Sequence, residues 1–143
     1  MDNQRTRIPA FELIFIVCGI WLIGLGLYFA VLRPALLPED LRYIGASAQD
    51  IQSATPGIVR WLHRVFTVMG GFIVGTGVLS IAVAMNASRM RKNVTLTVLA
   101  LTGVSTVGLM SLTNFQLNSD FKWLLLIPPL LWLAGLISHQ RHS

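Results

Sequence analysis

The sequence predicts an all-α membrane protein, a four-transmembrane-helix bundle with a short-helix outer loop between helices one and two. Three observations carry that reading. The chain has 143 residues, enough for one domain, yet 54% are hydrophobic and only 12% charged, about half the charge of a soluble domain. Its mean hydropathy is +0.67, so a water-soluble fold would expose large apolar patches that invite aggregation. Finally, the charges stand between four long apolar runs rather than within them.

The net charge of +5 does not point to nucleic acid. Phosphate tracking needs basic residues gathered on one face or arm, and here they punctuate the apolar runs. They suit headgroup anchoring, worth about 1 kcal/mol each near an anionic leaflet.

The first helix is expected over residues 10–32. Pro9 suits its start, and the twenty uncharged residues from Leu13 to Leu32 span the ~30 Å hydrocarbon core at ~1.5 Å each. Arg5 and Arg7 ahead of an apolar run resemble a signal peptide. The run is too long for a signal core and no small-residue cleavage site follows, so an uncleaved helix is expected. Glu12 falls in the first turn, where the helix dipole favours a carboxylate and where Arg5 or Arg7 could pair with it. Cys18, the single cysteine, lies in this run and behaves there as a small apolar residue.

Residues 33–64 form the one long segment between apolar runs. Pro34 ends the first helix because proline lacks the amide donor. Pro38 to Tyr43 reads as a short helix, with proline first, Glu39 and Asp40 in the first turn and Gly45 as the stop. Ser47-Ala48-Gln49-Asp50 is a capping box with Asp in place of Glu, and Thr55-Pro56 is expected to cap and start helix two. An ordered loop on the membrane surface follows.

Helix two is expected to enter lipid over 65–88, helix three over 93–113 and helix four over 121–138. Pro128-Pro129 should kink or break the last. Lysine and arginine counts give six at the end bearing the termini and five at the other. The positive-inside bias then puts both termini in the cytoplasm and the 33–64 loop outside. Tyr28, Trp61 and Trp123 would form the outer aromatic belt.

Small residues govern helix association in lipid, where no hydrophobic force drives it. Gly19, Gly24, Gly26 and Ala30 on helix one, Gly71 and Gly75 with Gly70 and Gly77 on helix two, and Gly103, Ser105 and Gly108 on helix three are the expected packing faces. The Gly71–Gly75 GxxxG step could bury against a neighbouring helix or mark a dimer face.

The spans carry almost no ionisable group, and such groups are the usual marks of ion paths and proton relays. His63 and His139 fall on opposite sides, so they cannot share a haem iron. No zinc spacing, phosphate loop or nucleophile triad is legible, so no cofactor, metal or catalytic residue is assigned. One constellation remains. Arg60 and Arg64 share a helix face, with Trp61 and His63 beside them and Glu39, Asp40 and Arg42 within loop reach. It reads either as arginines bonding lipid phosphates and loop carboxylates, or as a site for an anionic headgroup, a quinone-like ring or a partner subunit.

The stretch "RPALLPEDLRYIG" followed by "RWLHRVFTVMGGFIVGTGVL" resembles small bacterial four-helix membrane proteins of unknown function, distantly similar to the DoxX-like group. The resemblance implies a bacterial inner-membrane four-helix bundle and transfers no catalytic residue. The expected function is a non-catalytic accessory or partner-binding subunit of a membrane complex, in contact with the lipid bilayer and with a membrane-protein partner or a second copy. The alternative is a binder or carrier of a lipid, quinone or other hydrophobic small molecule under the 33–64 loop. An enzyme ranks third.

Overall fold

The computed structural model describes residues 8–141, and these are helical without a strand. In chain order the helices are α1 (Ala10–Leu32), α2 (Pro38–Ile44), α3 (Ala48–Ala54), α4 (Ile58–Met85), α5 (Lys92–Gln116) and α6 (Ile127–Arg141). Three of them, α1, α4 and α5, are long and apolar enough to cross a membrane. The protein is therefore a helical chain with several candidate spans and contact with lipid along them. The pairing of Glu12 with Arg5 or Arg7 lies outside the described residues.

α1 and α4 form the tightest pair, and glycine sets their distance. A Cβ on Gly26 would lie 2.6 Å from the Gly70 carbonyl oxygen, and one on Gly77 would lie 2.6 Å from that of Gly19. Each helix thus carries two glycines seven residues apart, and the antiparallel register sets Gly26 against Gly70 and Gly19 against Gly77. The expected Gly71–Gly75 step does not pack there. Nothing lies within 4 Å of a Cβ on Gly71, Gly75 or Gly24. At 100° per residue, Gly71 and Gly75 point away from the side that Gly70 and Gly77 press against α1. Of the expected packing glycines on these two helices, Gly19, Gly26, Gly70 and Gly77 are at the contact, and Gly24, Gly71 and Gly75 have open space beside them.

α6 completes the core. Trp132, 2% exposed, donates its indole N–H to the Leu99 carbonyl at 2.8 Å and meets Phe15 edge-on at 5.2 Å. Gly103 makes room for the indole, since a Cβ there would lie 2.4 Å from it, and Gly135 makes room for the Phe15 ring. The Phe11 and His139 rings meet at a tilt, centroids 4.4 Å apart, and Lys92 donates to the Gln140 carbonyl at 3.0 Å. The starts of α1 and α5 therefore meet the end of α6 at one end of the molecule. At the opposite end Trp123 packs on Phe115 at 5.3 Å.

Several boundaries differ from the sequence expectation for identifiable reasons. α4 begins at Ile58 rather than Pro56, because Thr55 ends α3 and its carbonyl accepts from the Ile58 amide. The last turn of α1, Tyr28–Leu32, is π-helical, and the Arg33 amide reaches back to the Tyr28 carbonyl at 2.8 Å. Arg33 itself is extended, as the residue before a proline must be. The fourth helix begins at Ile127 rather than at the expected 121, so Pro128-Pro129 fall at its start and do not interrupt its middle. They occupy its first turn, where amide donors are orphaned in any helix, and residues Leu124–Leu126 ahead of them form a 3-10 turn.

Candidate functional site

The loop between α1 and α4 is an ordered lid, built from local caps. Asp40 accepts from the Leu37 amide at 2.8 Å, closing the start of α2, and Gly45 ends that helix at φ 74°, where a side chain would be strained. Ser47 and Asp50 form the expected capping box, with the Asp50 amide donating to the Ser47 hydroxyl and the Ser47 amide to the Asp50 carboxylate. The Ser47 hydroxyl, then its backbone amide, hold the Asp50 carboxyl below the usual carboxylate range.

Three polar contacts fasten the lid. Arg33 pairs with Asp40 at 3.1 Å, and the two side chains are only 10% and 19% exposed. Its guanidinium also lies 3.9 Å from the Phe66 ring centroid and 5.3 Å from that of Phe29. A cation held between two rings and a carboxylate is anchored by electrostatics in a region of reduced water, where such contacts are stronger. Glu39, buried, accepts from the Ser119 hydroxyl at 3.0 Å. Arg42 donates from Nη2 to both carboxylate oxygens of Asp120, each at 3.0 Å, but both side chains are well exposed. The lid is thus tied to α1 on one side and to the α5–α6 connection on the other.

The expected basic constellation is only partly assembled. Arg60, Trp61, His63 and Arg64 occupy the first two turns of α4 and all are exposed. Among the described residues no carboxylate pairs with Arg60 or Arg64. Glu39, Asp40 and Arg42 belong to the lid fastenings instead, with partners that sequence reasoning did not single out: Arg33, Ser119 and Asp120. Ser119 and Asp120 lie some 80 residues from the groups they bind, and no local pattern marks them. Tyr28, Trp61 and Trp123 are all exposed at this end of the molecule.

Beneath the lid lies a cleft of about 200 Å³, lined by Ala35, Leu36, Tyr43, Ile44, Leu62 and Phe66, with Asp40 and Leu117 completing it. It is almost wholly apolar. A second concavity, of about 310 Å³, opens between α4 and α5 away from the lid. Among the described residues no three His, Cys, Asp or Glu side chains converge as metal ligands, and His63 and His139 stand at opposite ends of the molecule. No protein-family model, curated protein or solved structure matches the chain.

Proposed function

We propose that this protein is a four-span accessory or partner-binding subunit that docks against another membrane component. The observation that carries the reading is the outward face of α4. Gly71 and Gly75 form a GxxxG step with open space above them, flanked by Val68 and Phe72, which are 60% and 72% exposed. Small residues permit close backbone approach, and here the intramolecular approach uses Gly70 and Gly77 instead. The surface left over fits a helix from elsewhere, either a partner or a second copy. Arg60, Trp61, His63 and Arg64 stand at the lid end of the same helix, where partner loops or lipid headgroups would meet them.

The fourth crossing is part of the proposal. α6 and the 3-10 turn before it together rise about 28 Å, close to the hydrocarbon thickness. Trp123, just ahead of that turn, meets Phe115 at one end of α5, and Gln140 of α6 meets Lys92 at the other. Both termini then share a side, and the arginine-rich α4–α5 turn favours the cytoplasmic face of a bacterial inner membrane. The relationship to small DoxX-like bacterial membrane proteins rests on sequence placement alone.

Copurification in mild detergent tests the docking role. A partner or second copy should be retained by the native chain and by Val17→Ala on α1, and lost from Gly71→Leu and Gly75→Leu. A native chain that is always monomeric and partnerless refutes it. The apolar cleft under the lid favours a second reading, a carrier of a hydrophobic small molecule. At about 200 Å³ it falls below the usual ligand-site range, which ranks it second.

A further inference from the structure

The concavity between α4 and α5 has a lining of unusual chemistry for a surface at this depth. Thr76 and Ser80 face it from α4, and Thr102, Ser105 and Thr106 face it from α5, among Leu79, Val83, Val98 and Leu99. Thr76 and Thr102 lie near the middle of two helices long enough to span a membrane, so these hydroxyls sit deep within the hydrocarbon rather than at its rim. The groove is open along one side. Part of its α5 wall, Val104–Gly108, is π-helical.

Four of the five hydroxyl protons are already spent. Thr76 donates to the Phe72 carbonyl at 2.8 Å, Ser80 to Thr76 at 2.8 Å, Ser105 to Leu101 at 2.8 Å, and Thr106 to Thr102 at 2.6 Å. Each oxygen keeps lone pairs that can still accept. The groove therefore presents these acceptors together with one remaining donor, the Thr102 hydroxyl, in a medium where no water competes for them. Its volume, about 310 Å³, reaches the lower end of small-molecule sites.

That lining selects among occupants. Acyl chains and ethers bring no hydrogen-bond donor. A phospholipid headgroup cannot leave the interface for this depth without a large desolvation cost. A docking helix has its backbone donors committed to its own ladder, and its serine and threonine protons tend to be spent as they are here. An uncharged apolar molecule with a free O–H donates to those oxygens and accepts from Thr102, at small desolvation cost.

We propose that the α4–α5 groove is a binding site for a hydrophobic alcohol or phenol, its apolar body against Leu79, Val83, Val98 and Leu99 and its hydroxyl donating to the serine and threonine oxygens. This site is independent of the docking role of α4's glycine face.

The test is photolabelling of the full chain in lipid nanodiscs with a diazirine-bearing dodecanol, compared with its methyl ether, which keeps the shape and loses the donor. The alcohol should label the peptides spanning 76–83 and 98–106 at least fivefold more than the ether does. Excess unlabelled dodecanol should compete, and a Thr102→Val/Ser105→Ala double variant should lose most of the difference. A Thr67→Val variant, outside the groove, should label as the native chain does. Equal labelling by alcohol and ether, labelling spread along all lipid-facing residues, or a groove crosslinked instead to a copurifying helix would each overturn the proposal. Matching circular dichroism spectra of the variants exclude misfolding as the cause of a loss.

Discussion

Neighbouring glycines on α4 should respond oppositely to the same substitution. A Cβ added at Gly70 would lie 2.4 Å from the Gly26 carbonyl oxygen and 2.6 Å from the Ala30 amide nitrogen. Ordinary van der Waals contact begins near 3.4 Å, so α1 and α4 must separate by about 1 Å, and main-chain atoms cannot swing aside as a side chain could. Overpacking of this kind costs about 1–3 kcal/mol, while replacing glycine by alanine within a helix returns up to about 1 kcal/mol. Because the obstruction is backbone, the upper part of the range applies, and Gly70→Ala should lose about 1–2 kcal/mol net. At Gly71 a Cβ meets nothing within 4 Å, so only the propensity gain remains and Gly71→Ala should be neutral or stabilising by up to about 1 kcal/mol. Unfolding of both variants in mixed micelles, followed by circular dichroism, measures the pair directly. Equal losses at both positions, or a neutral Gly70→Ala, would refute the assigned register of α1 on α4.

The lid fastenings should separate by burial. Arg33→Gln leaves Asp40 without its cation in a largely enclosed place and should cost about 2–4 kcal/mol, whereas Arg42→Gln breaks an exposed pair and should cost about 0–1 kcal/mol. Chemical denaturation of the two variants distinguishes them, and equal losses would contradict the burial argument. Ser119→Ala removes the donor to the buried Glu39 carboxylate, so a loss of about 1–3 kcal/mol is expected, with faster amide exchange in α2 as its local signature. The Asp50 carboxyl is held below its ordinary range by Ser47. A depressed folded value means its contribution is full above the unfolded value near pH 4 and disappears as pH falls through the lower folded value. Amide exchange at the start of α3 should therefore accelerate only below about pH 4, and Asp50→Asn should remove that dependence.

Legibility in the sequence followed the range of the interactions. The apolar runs, the α2 stop at Gly45 and the Ser47–Asp50 box are local, and their residues lie within a few positions of one another. The α1–α4 contact was half legible. Glycine richness marked both helices, but the choice between Gly70/Gly77 and Gly71/Gly75 depends on rotation about the helix axis, which uniformly apolar runs leave undetermined. Trp132 gave no sign of its role, because its partners Leu99, Gly103 and Phe15 come from two other helices. The lid's acids were expected near Arg60 and Arg64 on loop length. Asp40 instead met Arg33, seven residues earlier in the same loop, and Glu39 met Ser119 some 80 residues away. The α4–α5 groove was hidden for a related reason: serines and threonines scattered along two apolar runs converge only once the helices are placed.

The account turns on whether α6 carries the chain back across the bilayer beside α5. Single cysteines at Gln52, Ser88, Gln116 and Arg141, all exposed, can be placed in a Cys18→Ala background and exposed to a membrane-impermeant maleimide added from one side at a time. Labelling of positions 52 and 116 from the outside only, and of 88 and 141 from the cytoplasmic side only, is the predicted result. Positions 116 and 141 labelling from the same side would contradict it.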